Sequence, residues 1–71
     1  MFQNNPNLKY VDFTNNMFSK DTMNRILDHL NQYIQYEGGT IIFSGNQYGY
    51  RPDDSYIDNV FLNKGWNVII N

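Results

Sequence analysis

Three carboxylates, Asp53, Asp54 and Asp58, form the densest set of reactive groups in the chain, at the start of a predicted helix. Paired carboxylates can exchange protons with a substrate or hold a calcium ion. The neighbouring sequence lacks the loop of alternating oxygen ligands that a calcium site needs. Helix capping by Asp53 and attraction of Asp54 to the helix dipole explain the cluster, so we expect no metal site here.

The other candidates for chemistry are the single histidine, His29, and the stretch Gly45–Gly49. Asp21, Arg25 and His29 recur every four residues, which predicts a solvated polar strip on one helix face. The glycine stretch lacks the Gly-Lys-Ser/Thr ending of a phosphate-binding loop, so its glycines are interpreted as turn residues. Zero cysteines exclude disulfides, thiolate zinc sites and cysteine nucleophiles. We therefore expect no enzyme activity, no metal and no cofactor.

The chain has 71 residues and a net charge of −2, which indicates a single domain over residues 1–71. Basic residues are not in excess, so we expect no nucleic acid partner. No apolar run approaches the ~20 residues that span a bilayer, and no signal peptide pattern is present. We expect no membrane partner, and a cytoplasmic location for the free chain.

Hydrophobic periodicity predicts the order strand, helix, strand, helix, strand. Such alternation is typical of βαβ units, so we predict an α/β fold with a parallel three-stranded sheet and both helices on one face. The strands are predicted at Leu8–Phe13, Thr40–Phe43 and Trp66–Asn71, where short apolar or alternating runs occur. Trp66 is expected to pack in the core with its indole N–H bonded to a loop carbonyl.

The two predicted helices carry their own start and stop signals. Ser19 is the expected N-cap of the first helix, and Gly38 and Gly39 are expected to stop it. Asp53 is the expected N-cap of the second helix, and Gly65 is expected to end it in a left-handed conformation. The apolar faces are predicted at Met23, Ile26, Leu27, Leu30, Tyr33 and Ile34, and at Tyr56, Ile57, Val60 and Phe61.

The strands repeat at intervals of thirty and twenty-seven residues, from Val11 to Ile41 to Val68. The first unit, Leu8-x-x-Val11-x-Phe13-x-x-Asn16, fits the leucine-rich-repeat template, and Asn46 lies thirty residues after Asn16. The Asn amide is expected to bond the backbone of the adjoining turn and so link neighbouring repeats. Asparagine occurs 12 times in the chain, so a chance match of Asn16 and Asn46 to the template is one alternative to a true repeat. A different strand order is the other alternative.

The stretch 26–71 resembles a module of phage tail proteins and some bacterial surface proteins. The resemblance lies in three pieces, ILDHLNQYI, GGTIIFSGN and FLNKGWNVIIN, and in the helix that Pro52 introduces. The chain departs from the pattern at Tyr48-Gly49-Tyr50-Arg51, which is more aromatic than the usual loop of small residues. The resemblance implies a leucine-rich-repeat-like fold and, by association, a structural or recognition role in a virion.

If alternate strand residues face the helices, the others face away, and no sequence remains to cover them. Leucine-rich folds bind partners through this face, and Tyr and Arg are common interface anchors. The loop tyrosines and Arg51 have the alternative of folding back over the sheet edge. The predicted partner-binding residues are Tyr10, Asp12, Thr14, Ile42, Ser44, Tyr48, Tyr50, Arg51, Asn67 and Ile69.

The predicted function is a non-enzymatic protein-interaction or structural module, a capsid decoration or tail component of a bacteriophage that docks through its open sheet face. Its partner would be a protein, either a second copy or a larger assembly. The alternative is a small inhibitor from a phage or mobile element that binds one host protein. An enzyme would need a cluster of perturbed titratable groups, and the sequence shows none.

Overall fold

A computed structural model of the protein describes residues 1–46 and 50–70. The elements are β1 (Tyr10–Asp12), α1 (Lys20–Tyr33), β2 (Thr40–Ile42), α2 (Asp54–Lys64) and β3 (Asn67–Ile69). The three strands form one parallel sheet in the order β1-β2-β3. The predicted α/β fold is confirmed, although each strand is shorter than predicted.

The middle residue of each strand points toward the helices. Val11, Ile41 and Val68 lie in register across the sheet, and all three belong to the core or pack against it. With this strand order, the connections from β1 to β2 and from β2 to β3 cross the sheet in the same direction. Because βαβ connections have the same hand, both helices lie on one face of the sheet. The fully buried core side chains are Met23, Leu27, Leu30, Ile34, Ile41, Val60 and Trp66.

Helix α1 begins as predicted and ends early. The Ser19 hydroxyl accepts a hydrogen bond from the Thr22 amide at 3.2 Å, which confirms the N-cap. The chain leaves the helix at Ile34, before the expected stop at the glycines. The amides of Gln35 and Tyr36 donate to the carbonyl of Pro6, at 2.6 and 3.1 Å. The N-terminal segment therefore supplies the acceptor that the carbonyls of the preceding turn, at Asn31 and Gln32, would supply in a continued helix.

Trp66 lies directly before β3 and connects this strand to the loop that follows α1. Its side chain is fully buried, and its indole Nε1 donates to the Tyr36 carbonyl at 2.7 Å, as predicted. At the other end of the sheet, Phe13, Phe18 and Phe43 pack with ring centroids 5.4–6.2 Å apart. Aromatic contacts therefore close both ends of the core.

Helix α2 is only partly covered, and the predicted burial of Phe61 is wrong. Val60 is the buried residue of this helix, whereas the Phe61 side chain is 56% exposed and that of Leu62 is 77% exposed. Phe61 follows Ile57 at helical spacing, so periodicity alone places both on the apolar face. In the described part of the chain, α1 packs against one flank of this helix and no helix or strand packs against the other.

Gly65 ends α2 in the left-handed conformation that the sequence predicts. Its φ is +65° and ψ is +20°, and its N–H donates to the Phe61 carbonyl at 2.8 Å. A Cβ built at this position would meet no atom closer than 3.7 Å, so backbone conformation and not space selects glycine here.

Replacing Gly65 with Val is therefore expected to lower the free energy of unfolding by about 1 kcal/mol or more, because a β-branched residue resists positive φ. Gly65→Asn is the matched control, since Asn tolerates the left-handed region and should lose less. Urea denaturation followed by circular dichroism measures both. Equal losses for the two variants would contradict this explanation.

Candidate interaction surface

The sheet face opposite the core carries neither helix of the described chain. Within residues 1–46 and 50–70, its side chains on the outer strands are exposed and those on the middle strand are half-buried. The strand register arranges its side chains in rows that cross the sheet. The first row is Tyr10, Thr40 and Asn67; the second is Asp12, Ile42 and Ile69; Thr14 and Ser44 follow at the end of the sheet. We call this set the open face.

The centre of the open face is apolar. Ile42 and Ile69 are register partners on neighbouring strands, and the Ile69 side chain is 39% exposed. Tyr10 is 58% exposed and stands one diagonal step from Ile42, within reach of an aromatic side chain. Thr40 and Asn67 border this centre with neutral polar groups. The patch therefore combines apolar surface with a polar rim.

Asp12 is the charged side chain of the described open face. Its carboxylate accepts hydrogen bonds from the Thr14 hydroxyl and from the Thr14 amide, the latter at 2.8 Å. The hydroxyl and the amide both hold the pKa of Asp12 below its ordinary value. The rim consequently keeps a negative charge at neutral pH, in a fixed orientation.

Two asparagines at equivalent positions behave differently. The Asn46 amide donates to the Phe18 carbonyl at 2.7 Å and to the Tyr50 carbonyl at 3.3 Å. It thus links the segment after β2 to the segment after β1. The Asn16 amide donates instead to the Phe13 carbonyl of its own turn, at 2.9 Å.

The three loop residues that are predicted to bind a partner differ in where the structure places them. Tyr48 lies outside the described residues. Tyr50 is 52% exposed, with its carbonyl held by Asn46. The Arg51 guanidinium lies 3.0 Å from the Asp54 carboxylate, so it points toward α2, in the layer behind the sheet. The structure therefore does not bring Arg51 together with the open face.

The carboxylates at the start of α2 diverge. Asp53 is the N-cap residue, but its side chain makes no capping hydrogen bond, contrary to expectation. Its carboxylate accepts from the Asn24 amide and lies 3.1 Å from the Lys20 ammonium, while its own N–H donates to the Asn24 side chain at 2.9 Å. This pairing joins the two helices. No group of three or more His, Cys, Asp or Glu in the described residues could hold a metal ion together.

His29 is not part of a fully solvated strip. It is half-buried, its ring meets the Tyr33 ring edge to face at 5.7 Å, and its Nδ1 is buried with no hydrogen-bond partner among the described residues. A separate open cleft of about 260 Å³ lies between the helices, lined by Asp21, Asn24, Arg25, Asp28 and Tyr56. Neither feature adjoins the open face, which lies on the other side of the sheet.

Comparison with protein-family models, with curated proteins and with solved structures finds no match to this chain. The resemblance to phage tail modules therefore stays a prediction. Neither helix in residues 1–46 and 50–70 is long and apolar enough to cross a membrane.

Two neighbouring residues of β3 test which face is open. Val68→Thr should lower the free energy of unfolding by about 1 kcal/mol or more, because it places a hydroxyl against the core. Ile69→Thr should change it by less than about 0.5 kcal/mol, because this side chain already faces water. Both keep a β-branched residue in the strand. Thermal denaturation of the two variants measures the difference, and a larger loss at position 69 would contradict the assignment.

The Asp53 pairing predicts a loss of stability in acid. Lys20 first, and Asn24 second, hold the pKa of Asp53 below its ordinary value of 3.8. A lowered folded-state pKa means that the stabilisation is complete well above that value and is lost as the pH falls through the folded-state pKa. Lys20→Gln should therefore lose less stability than the parent between about pH 7 and about pH 2.5.

Lys20→Arg is the control for this prediction, since it keeps the cation and should retain the acid sensitivity of the parent. Urea midpoints at the two pH values provide the comparison. An undiminished acid loss in Lys20→Gln would show that this ion pair does not stabilise the fold.

Proposed function

We propose that this chain is a non-enzymatic protein-interaction module that binds a protein partner on the open face. The observation that carries the proposal is a parallel sheet with one face uncovered. Parallel sheets are normally covered on both faces, because their strands bury side chains on each side. An uncovered face with Ile42 and Ile69 at its centre is therefore a surface suited to burial against a partner.

The chemistry of the open face favours a protein over a nucleic acid. Its apolar centre has an aromatic side chain, Tyr10, at its border, and tyrosine is enriched at the energetic centres of protein interfaces. Asp12 is the charged group among its described residues, and an anion there repels phosphates. Thr40 and Asn67 add donors and acceptors at the rim, where protein interfaces are polar.

The more specific proposal is a structural component of a bacteriophage particle, a capsid decoration or tail protein. Its support is the resemblance carried by GGTIIFSGN and by FLNKGWNVIIN, with Trp66 at the start of the last strand. In such a particle the open face would dock on a neighbouring subunit. The alternative of a small inhibitor uses the same face on a single host protein, so identification of the partner distinguishes the two.

Site-specific photo-crosslinking in cells of the source tests the use of the open face. Tyr10 is replaced by p-benzoylphenylalanine, an aromatic that the exposed site can hold. Irradiation is expected to link the chain to one defined protein, identified by mass spectrometry. The matched control is the same replacement at Tyr33, which is 37% exposed on α1 and lies away from the sheet.

A crosslink to a virion protein supports the particle component, and one to a host protein supports the inhibitor. Equal crosslinking from Tyr10 and Tyr33, or none from Tyr10 to any other protein, would contradict docking through the open face.

A further inference from the structure

The two outer edges of the sheet are protected to different degrees. Strand β1 contains Asp12, Lys9 directly precedes it, and Pro6 lies shortly before it. Charged residues and proline commonly prevent another chain from pairing with an exposed strand edge. Strand β3 and its neighbours, Trp66–Ile70, contain no charged residue and no proline. The β3 edge is therefore the one open to pairing with another strand.

The backbone of β3 is oriented for such pairing. Asn67 donates to the Gly39 carbonyl at 3.0 Å, and the Ile69 carbonyl accepts from Phe43 at 2.8 Å. Alternate residues of a parallel strand bond to the same neighbour, so Val68 and Ile70 direct their N–H and C=O groups to the outer edge of the sheet. Within residues 1–46 and 50–70 no backbone group pairs with them, and we call this side of β3 the free edge. A row of unpaired backbone groups at such an edge is a template for another chain.

Helix α2 presents a matching flank beside this edge. Asp54, Ile57, Phe61 and Lys64 are spaced by three, four and three residues, so they form one line along the helix. We call this line the α2 stripe. Ile57 is half-buried against the core, whereas Phe61 is 56% exposed.

The α2 stripe faces away from α1. Tyr56 shares a cleft with α1, and the Asn63 side chain lies 3.4 Å from that of Asn31 on α1. At about 100° per residue, Phe61 is about 150° around the helix from this contact side. The stripe thus belongs to the same end of the molecule as the free edge of β3.

The order of charges along the α2 stripe suits a second copy of this chain. The stripe begins with an anion, Asp54, and ends with a cation, Lys64. The Asp54 carboxylate also lies 3.0 Å from the Arg51 guanidinium, but its side chain is 82% exposed and so remains open to a second cation. A two-fold axis through its middle turns the second helix antiparallel, which sets each Asp54 opposite Lys64 of the other copy. The same axis sets each Ile57 opposite Phe61 of the other copy. The stripe is therefore complementary to itself, as a two-fold interface requires.

Strand β3 and helix α2 place the two-fold axis at nearly the same distance from Gly65. Counted from Gly65, the middle of the α2 stripe at position 59 lies about 9 Å along the helix. Counted from the same residue, Val68 lies about 10 Å along the strand. One axis perpendicular to the sheet can therefore relate both elements at once. Around this axis the two β3 strands pair antiparallel. The outward N–H and C=O groups of Val68 then face those of Val68 in the other copy.

We infer that the chain forms a two-fold dimer through the β3 edge and the α2 stripe, with an antiparallel β3–β3 pair at its centre. The single chain has an accessible surface of 4449 Å². A compact monomer of its mass is expected to expose about 4,600 Å². The single chain is thus as compact as a monomer of its mass, and circular dichroism at the lowest concentration verifies that each copy keeps its fold when the dimer dissociates.

Sedimentation equilibrium from about 1 µM to about 1 mM covers the range of weak to moderate dimers and should show a reversible monomer–dimer equilibrium for the parent chain. Two charge reversals, Asp54→Lys and Lys64→Glu, are then measured separately. Each places like charges at both ends of the paired helices, so each dimer should weaken about tenfold or more.

An equimolar mixture of the two reversed chains is the decisive sample. In the mixed dimer Lys at position 54 faces Glu at position 64, and the unchanged Asp54 faces the unchanged Lys64. Affinity should return to within about twofold of the parent, and effects on the separate monomers cannot produce this recovery. Circular dichroism verifies that both variants are folded.

The apolar part of the interface has its own matched pair. Phe61→Ala should weaken the dimer about tenfold, because an aromatic at the centre of an interface dominates its affinity. Leu62→Ala removes a more exposed apolar side chain outside the α2 stripe and should leave the dimer within about twofold of the parent. A parent that stays monomeric, a mixture no more dimeric than either reversed chain, or equal effects at positions 61 and 62 would overturn the inference.

Discussion

The three strands begin where Gly39 lies between the backbone of Lys9 and the indole ring of Trp66. A Cβ at position 39 would lie 2.6 Å from the Lys9 carbonyl oxygen and 2.5 Å from Trp66 Cζ2, so any other residue must displace one of them. Two bonds that set the strand register start at the same point, from Thr40 to the Lys9 carbonyl and from Asn67 to the Gly39 carbonyl, both 3.0 Å. Because position 39 has no side chain, Lys9 and Trp66 can lie close enough to it for these two bonds to form. Glycine at this position thus maintains the register of both strand pairs.

The two proposed interaction surfaces follow from this register. Side chains alternate along a strand, so a slip by one residue would turn Ile42 and Ile69 into the core and Ile41 and Val68 into water. With the observed register, one row of apolar residues meets the helices and the next row forms the centre of the open face. The same alternation decides which backbone groups of β3 point to the free edge.

The sequence predicts well those features that depend on a few neighbouring residues. The strand faces, the N-cap at Ser19, the left-handed Gly65 and the buried Trp66 all have local signals, and the structure confirms each. The end of α1 was predicted wrongly because its competing acceptor, the Pro6 carbonyl, lies far away in sequence.

Two further errors have the same physical origin in distant neighbours. Phe61 has the spacing of a core residue, but its burial requires a neighbouring layer beside α2, and the fold ends there. Asp53 occupies the cap position, yet Lys20 and Asn24 on the other helix attract its carboxylate away from the amides of its own helix. The proposed interaction surface is predictable to the same extent. Alternation identifies the residues of the open face, whereas the direction of Arg51 depends on its ion pair with Asp54.

The open face and the β3 edge are separate surfaces, and their geometry connects their roles. An axis perpendicular to the sheet keeps the open faces of both copies on the same side, so the proposed dimer extends the face from three strands to six. Ile69 of each copy then lies near the axis, and the two apolar centres become continuous. A partner with repeated subunits can contact both halves, and the second contact is intramolecular, which raises affinity without any new chemistry in either half. An assembly with many identical subunits is the kind of partner that benefits most from such a face.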